Sequence, residues 1–354
     1  MSGERIRDAV FALVAMALAV LYVWAGSQLS GLVGTAASSP TPVATVPVER
    51  TNAPRIPGAI AFVSRGDVFI LRDGRNSQLT SEGRSSQPFL SRDGGTLYFV
   101  RTDQIDGQSI DDGRVVNALL RYSSVVRKPA GGGTEEIVLN GLRQRSPSGL
   151  HVVSWYIGPA LSADGSRLAV TVDDGDGAAD LGTLAVSRAI PQGARPTLLS
   201  QGAELADAAW SPDGKQIAVT TYNTDVPGIL VWSVDRPGTA TRLDDLPDGE
   251  AYRPSFSPDG DWLVYTLRYN GRNDLHAYEL ATGKDVALTA DGKSWDAIFS
   301  PDGDRVAFLR EVNGVIDLYA MEIGDALTGG AAKQSQRLTS GEGIDGTSGP
   351  TWSR

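Results

Sequence analysis

The sequence contains no cysteine and only two histidines, His151 and His276. The lack of cysteine excludes disulfides, a lipid-modified N-terminal cysteine and thiolate metal sites. Two histidines cannot form a three-histidine zinc centre, although one of them could bind a metal together with carboxylates. Neither a Gly-x-Ser-x-Gly nucleophile elbow nor a His-Glu-x-x-His zinc helix occurs. These absences favour a binding protein over an enzyme.

The sequence also has too few basic residues for a nucleic-acid-binding surface. Asp and Glu number 42 against 32 Lys and Arg, which gives a formal net charge of −10. Such a charge repels the phosphate backbone, so we expect no nucleic-acid partner. The acidic exterior of an ordinary soluble domain accounts for the charge.

Glycine, by contrast, is abundant, with 41 residues, and several glycines belong to one recurring motif. The clearest copy runs from Phe299 to Phe308. It consists of an aromatic residue, the turn Ser300-Pro301-Asp302-Gly303 and an alternating apolar run. Proline fixes the φ of the first central residue near −65°, and glycine accepts the positive φ that completes the turn. The motif predicts a tight β-hairpin with one buried face.

The hairpin motif recurs along the chain. Its serines are Ser91, Ser162, Ser211, Ser257 and Ser300. From Ser162 onward the repeats are spaced by roughly 43 to 53 residues, a period typical of propeller blades or another repeat array. The longer gap before Ser162 indicates an insertion in one repeat. Two further strand candidates follow each hairpin, so each repeat holds the four short strands of a propeller blade.

The two ends of the repeat region predict how the array closes. Residues Gly58 to Ser64 match the second strand of a repeat whose first strand is missing. Thr351-Trp352-Ser353 matches a first strand with nothing after it. A blade shared between these segments would close the ring and remove the free edges of an open sheet. We therefore predict an all-β fold, a six-bladed β-propeller of four-stranded antiparallel blades.

The repeat resembles that of the TolB-like six-bladed β-propellers. The resemblance rests on Phe299 to Phe308, on Asp317-Leu318-Tyr319 and on Arg337-Leu338-Thr339, and the pattern extends over about residues 57 to 354. It implies that the protein is a periplasmic binding partner, the propeller half of a peptidase or a sensor ectodomain. The preceding residues are too few for the α/β domain that precedes the propeller in TolB.

The N-terminal segment predicts export. Residues 1–8 form a polar head with Arg5 and Arg7, and residues 9–33 are apolar enough to be an uncleaved transmembrane anchor or a cleaved signal segment. Residues 34–57, rich in Pro, Ala, Ser and Thr, are a linker. We expect a single-pass, monomeric membrane protein with a cytoplasmic N-terminus. Its propeller, residues 58–354, would lie in the periplasm or outside the cell.

Two loops stand out as possible partner or metal sites. Thr102 to Asn117 is the insertion. It is interpreted either as a mobile surface loop or as a segment that protrudes from one face and binds a partner or a metal. The densest acidic cluster consists of Asp173, Asp174, Asp176 and Asp180. Its oxygens on a glycine-kinked loop could bind Ca²⁺, although the cluster departs from an EF-hand and also suits an ordinary acidic hairpin.

The resemblance also implies where a ligand would bind. In these propellers the first strand of each blade lines a central channel. The residues four positions before each turn serine would then surround one channel mouth; they are Gln87, Gly158, Asp207, Arg253, Asp296 and Gly349. With the neighbouring Tyr252 and Trp295, such a mouth could accept a peptide or a small polar ligand. Alternatively, Arg253 simply pairs with Asp207 or Asp296.

Two functions follow. The first is a membrane-tethered platform that binds a protein, a peptide or another envelope component through its channel mouth and loops. The second is a propeller hydrolase or lyase that uses channel carboxylates, with or without a divalent cation. We expect no cofactor other than a possible calcium ion. The lack of a nucleophile motif favours the platform.

Overall fold

The computed structural model describes residues 56–111, 114–144, 150–175, 177–186, 190–191, 193–236 and 238–354. The predicted anchor at 9–33 and most of the linker lie outside these residues. Within the described part, no helix has the length and apolar character needed to cross a membrane.

The described residues form six antiparallel four-stranded sheets, the blades of a propeller. Blade 1 combines β1 (Ala59–Ser64), β2 (Asp67–Arg72) and β3 (Arg75–Gln78) with the C-terminal β26 (Thr351–Ser353). Blade 2 consists of β4 (Ser85–Leu90), β5 (Thr96–Asp111), β6 (Arg114–Pro129) and β7 (Glu136–Leu139). A separate two-stranded sheet, β8 (Leu142–Gln144) and β9 (His151–Val153), follows blade 2.

The other four blades are continuous in sequence. Blade 3 consists of β10 (Trp155–Leu161), β11 (Arg167–Asp173), β12 (Asp180–Ala185) and β13 (Thr197–Leu198). Blade 4 consists of β14 (Leu205–Trp210), β15 (Gln216–Thr221), β16 (Gly228–Ser233) and β17 (Ala240–Arg242). Blade 5 consists of β18 (Glu250–Phe256), β19 (Trp262–Tyr269), β20 (Arg272–Glu279) and β21 (Asp285–Ala287). Blade 6 consists of β22 (Ser294–Phe299), β23 (Arg305–Val312), β24 (Val315–Glu322) and β25 (Gln336–Arg337), and helix α1 (Gly324–Leu327) joins its last two strands.

The ring closes through blade 1 as the sequence predicts. Strand β26 pairs with β1, with Trp352 opposite Ile60. The Trp352 indole Nε1 donates a hydrogen bond of 2.8 Å to the carbonyl oxygen of Pro57. The two ends of the repeat region thus complete one sheet, and the prediction of a shared blade is confirmed.

The predicted hairpin turn is also confirmed. Gly303 has a φ of 84°, and its N–H donates to the carbonyl oxygen of Ser300 at 3.0 Å. The Ser300 hydroxyl accepts a bond from the Arg305 N–H at 3.0 Å and donates to the Asp302 carboxylate. Serine therefore ties both sides of the turn together.

The hydrophobic core lies in the layers between neighbouring blades. One cluster joins Val264 and Leu275 of blade 5 to Phe299, Val306 and Phe308 of blade 6, and all five side chains are buried. Both faces of the hairpin strands are buried, because each face meets a neighbouring blade. Val306 and Phe308 belong to this cluster, whereas Ala307 and Leu309 pack against blade 1. The expectation of one buried face is therefore wrong.

An aspartate ties the outer strands together in four blades, and it is buried in blades 3 and 6. In blade 6 the Asp317 carboxylate accepts bonds from the Thr339 hydroxyl and the Gly341 N–H, both at 2.9 Å. The Thr339 hydroxyl in turn accepts the Leu318 N–H at 2.9 Å. The corresponding aspartates in the other blades are Asp67, Asp180 and Asp274.

The insertion in blade 2 is a paired ribbon and not a loop. Strands β5 and β6 stay in register from the pair Thr96–Pro129 to the pair Asp111–Arg114. The interpretation of residues 102–117 as a mobile loop is therefore wrong for the described residues. Polar side chains such as Asp103 and Asp106 lie on opposite faces of this two-stranded ribbon, since they are three residues apart in a strand. A ribbon that no neighbouring sheet covers can keep such polar residues solvated on both faces.

Candidate functional site

The first strand of each blade runs between two different ends of the propeller. In blade 6, Ser294 pairs with Arg310 and Phe299 pairs with Val306. The turn at 300–305 therefore lies at one end, which we call the turn end. The hairpin between Val312 and Val315 lies at the other, which we call the ring end.

Each first strand of blades 2 to 6 carries a β-bulge close to the ring end. The register shifts between Trp295 and Ile298 in blade 6, and at corresponding places in the other four blades. The bulged residues have positive φ; they are Gln87 (48°), Gly158 (59°), Asp207 (57°), Arg253 (51°) and Asp296 (58°). Bulges re-aim side chains, and four of these positions hold a side chain despite the strain.

The bulged residues line a central channel, together with Gly349 of the connection to blade 1. We call these six the ring residues. The channel has a cavity volume of about 310 Å³ and extends from the ring residues to the turns at the opposite end. All six positions predicted to surround a mouth lie on this channel. A ligand-binding role for them remains a prediction.

Arg253 occupies the centre of the polar network at the ring end. Its guanidinium donates to the Asp296 carboxylate, and its Nε lies 3.5 Å from Oδ1 of Asp207. Its Nη2 also donates to the carbonyl oxygen of Thr347 at 2.6 Å. Arg253 therefore pairs with both aspartates, which is the simpler of the two arrangements considered from the sequence.

The Asp296 carboxyl lies in the least solvated position of the ring, with only 6% of its side chain exposed. Burial and the nearby Asp207 carboxylate raise the pKa of Asp296 to about 7, against the opposing effect of the Arg253 guanidinium. Asp296 therefore holds its proton to a higher pH than an exposed aspartate does.

Two threonines hold the bulges in place, and the sequence analysis missed them. The Thr220 hydroxyl donates to Oδ2 of Asp207 and accepts the Arg253 N–H, both at 3.0 Å. The Thr266 hydroxyl accepts the Asp296 N–H at 2.9 Å. A signal existed, because each threonine is the fifth residue of the second strand of its blade, in Gln216 to Thr220 and again in Trp262 to Thr266.

Tyr252 and Trp295 do not line the channel, although they were predicted to join the mouth. The Tyr252 hydroxyl donates to Glu250, and its ring lies 6.0 Å from that of Tyr222. The Trp295 indole donates to the Gly346 carbonyl at 3.0 Å and packs against a core cluster. The residue before each bulge faces away from the channel, since neighbouring residues of a strand point in opposite directions.

The acidic loop distributes its carboxylates among separate networks. Asp173 accepts the Gly175 N–H at 2.7 Å, whereas Asp174 pairs with Arg143 and Arg195. Asp180 belongs to the blade 3 version of the aspartate contact described above. Asp176 lies outside the described residues. Among the residues that the structure describes, no group of three or more His, Asp or Glu side chains could hold a metal, and calcium binding stays an untested prediction.

The two histidines lie away from the ring. His276 sits on β20, the predicted third strand, and its Nδ1 lies 2.7 Å from Oδ2 of Asp285. The Tyr265 hydroxyl donates to the other oxygen of Asp285 at 2.6 Å. His151 begins β9, and its buried Nδ1 has no partner in the described part of the chain.

Comparison with known proteins supports the fold. The family TolB beta propeller domain (PD40) matches residues 183–327. The Tol-Pal system protein TolB of Ruthia magnifica subsp. Calyptogena magnifica is 30% identical over 95 residues, which make up 26% of this chain and 22% of that protein. The chain thus matches about a fifth of the length of this curated relative.

Solved structures with the same fold have different functions. TolB from Acinetobacter baumannii superposes with a TM-score of 0.61 at 18% identity, covering 84% of this chain and 66% of that one. An oligogalacturonate lyase in complex with manganese gives a TM-score of 0.50 at 14% identity, covering 77% and 70%. At such identities the likeness shows the fold alone. The residues that the structure describes form a TolB-like six-bladed β-propeller.

Proposed function

We propose that the ring end is a docking platform for an envelope protein or peptide. A segment of this partner would lie at the mouth of the channel. The observation that carries this proposal is the set of bulged residues with positive φ. A continuous sheet would not need these bulges, and each strained residue costs about 1 kcal/mol or more. Their common effect is to turn Gln87, Asp207, Arg253 and Asp296 toward one opening.

The distribution of exposed apolar side chains supports the same end of the molecule. Tyr222, Val226, Tyr269, Val312 and Val315 are exposed on hairpins or loops at the ring end. The ribbon of β5 and β6 continues past the same end by about ten residues per strand, or about 30 Å, and it exposes Val115 and Leu119. Apolar groups around a polar centre are typical of protein interfaces.

The relatives suggest where the partner would be found. The Ruthia magnifica relative is named a Tol-Pal system protein. With the predicted export of the propeller, this favours a partner in the cell envelope. We propose a periplasmic location for the propeller, held by an N-terminal anchor or released by cleavage of a signal segment.

The test is capture of envelope proteins by the full-length chain and by two matched glycine variants. Gly158→Arg places a long side chain in the mouth. The added Cβ has only ordinary contacts of 3.7 Å with Asp207, and arginine already adopts a positive φ at the equivalent position 253. Gly165→Arg is the control, since Gly165 also has positive φ, has open space around it and lies at the turn end of the same blade.

We expect a partner that is captured by the wild type and by Gly165→Arg and is lost with Gly158→Arg. Equal capture by all three proteins would contradict docking at the mouth. The partner is identified by mass spectrometry of the captured material, and circular dichroism checks that both variants fold.

A hydrolase or lyase activity is the second candidate, and the raised pKa of Asp296 favours it. A carboxyl that titrates near pH 7 suits general acid–base chemistry. Asp296→Asn separates the two functions. Loss of turnover on an envelope polysaccharide or peptide substrate, with capture intact, would support the enzyme, whereas loss of capture alone would support the platform.

A further inference from the structure

A cleft opens beside the ring, between the first strands of blades 3 and 4. Its volume is about 530 Å³, and its walls include Trp155 and Ile157 of β10, Glu204 and Leu205 of blade 4, and Tyr222. Ile157 directly precedes the ring residue Gly158 in sequence. The cleft is therefore next to the channel mouth at the ring end.

Two aromatic side chains and two carboxylates give the cleft its chemistry. Trp155 and Tyr222 present aromatic rings, and Asp173 and Glu204 contribute negative charge. Among the described residues, the Glu204 carboxylate has no hydrogen-bond or ion-pair partner. The Asp173 carboxylate accepts two backbone N–H groups of its own loop through Oδ1, which leaves Oδ2 unpaired in the same part of the structure.

Tyr222 packs beside Tyr252, the residue that directly precedes the ring residue Arg253. The centroids of the two aromatic rings lie 6.0 Å apart, and 43% of Tyr222 is exposed. Partial burial and the Asp207 carboxylate raise the pKa of the Tyr222 hydroxyl, so the phenol stays neutral and can face a cation. No lysine or arginine is among the described residues that line the cleft.

We propose that this cleft receives the cationic side chain, lysine or arginine, of the protein segment that docks at the ring end. The inference rests on the proposed function and names the chemistry of the partner. Aromatic faces attract a cation through the ring quadrupole, and an unpaired carboxylate completes its neutralisation. Uncharged and acidic segments would lack both interactions.

The test uses the full-length chain labelled with 5-fluorotryptophan and monitored by fluorine NMR. The probe is tetralysine amide, with tetraglutamate as the acidic comparison. The Trp155→Phe variant assigns the signal of Trp155. We expect this signal to shift saturably with tetralysine and to stay unchanged with tetraglutamate.

Matched variants show whether the cleft itself binds the probe. Glu204→Gln and Tyr222→Leu should each weaken tetralysine binding by about twofold to fivefold, because each removes one exposed ionic or cation–π contact. Asp304→Asn is the control, since it removes one exposed carboxylate at the turn end and should leave the dissociation constant unchanged. An unmoved Trp155 signal, or equal weakening by Glu204→Gln and Asp304→Asn, would overturn the proposal.

The captured envelope partner separates failure of this inference from failure of the proposed function. Loss of the partner with Gly158→Arg but full capture by Glu204→Gln would reject the cationic cleft and leave docking at the mouth intact. Suppose instead that tetralysine binds saturably at Trp155 and that Gly158→Arg captures the partner as well as the wild type does. This result would support a cation-binding cleft and reject docking at the mouth.

Discussion

The guanidinium of Arg253 donates a hydrogen bond to the carboxylate of Asp296, and this contact joins the first strands of blades 5 and 6 at the ring end. Asp296 is almost completely buried, whereas 28% of the Arg253 side chain is exposed. The Arg253 guanidinium is therefore the charged group of this pair that solvent or a ligand can reach, whereas the Asp296 carboxyl is almost inaccessible. A buried pair of this kind adds little net stability, which is consistent with a role in positioning.

The raised pKa of Asp296 predicts a pH dependence of stability. Between about pH 4, where an ordinary carboxyl ionises, and about pH 7, the folded protein holds a proton that the unfolded chain has released. The free energy of unfolding should therefore fall as pH rises through this window. Asp296→Asn should flatten the fall in urea unfolding measured from pH 4 to 8. Parallel curves for the wild type and the variant would contradict the assignment, and Asp304→Asn is the exposed control.

The aspartate at the outer strands of blade 6 predicts a large loss of stability on its removal. Asp317→Ala leaves the buried Thr339 hydroxyl and the Gly341 N–H without their acceptor. We expect a loss of about 2–4 kcal/mol in urea unfolding, since each unsatisfied buried group costs about 1–3 kcal/mol. Asp304→Ala, at an exposed turn, should change stability by less than about 0.5 kcal/mol. Similar losses for the two variants would show that the buried contact adds nothing.

The closing blade predicts different effects for two glycines with the same backbone angle. Gly58 and Gly271 both have a φ of +74°. A Cβ added to Gly58 lies 1.9 Å from the carbonyl oxygen of Ser353 in the closing strand, whereas Gly271 has nothing within 4 Å. Both alanine variants lose about 1 kcal/mol from the positive φ. Gly58→Ala should lose about 1–3 kcal/mol more through overpacking, measured by thermal unfolding. Equal melting temperatures would argue against a tight closure.

Shortening the blade 2 ribbon should weaken partner binding while leaving the stability of the propeller almost unchanged. Replacing residues 104–121 with Asn-Gly joins the pair Asp103 and Tyr122 through a two-residue hairpin turn. The Ser123 hydroxyl keeps its 2.8 Å bond to the Tyr156 carbonyl, so blade 2 should fold. We expect weaker partner capture with a melting temperature only a few degrees lower. Unchanged capture would exclude the ribbon from the interface.

The repeat predicts the fold well because its signals are local. The turn at Ser300 to Gly303 needs only its own four residues, and the alternating apolar run after it needs only a neighbouring blade. The split blade follows from matching Gly58 to Ser64 and Trp352 to complementary parts of one repeat. These features depend on backbone geometry and periodicity, which a single sequence shows directly.

The site is less predictable because it depends on contacts between blades. Arg253 binds Thr220 of the preceding blade and Asp296 of the following one. The spacing of residues within one repeat does not predict either of these contacts between blades. The bulge decides which side chain enters the channel, and for this reason Tyr252 and Trp295 face elsewhere. The ribbon was missed because its polar residues resemble a loop until its two strands are paired.

Photo-crosslinking from the two ends of one strand is the most direct test of docking at the ring end. Benzoylphenylalanine replaces Gln87, at the ring end of β4, or Arg92, in the turn at its other end, and intact cells are irradiated. We predict a crosslinked envelope protein from position 87 and none from position 92. Crosslinks from position 92 alone would place the partner at the turn end and contradict the proposed platform.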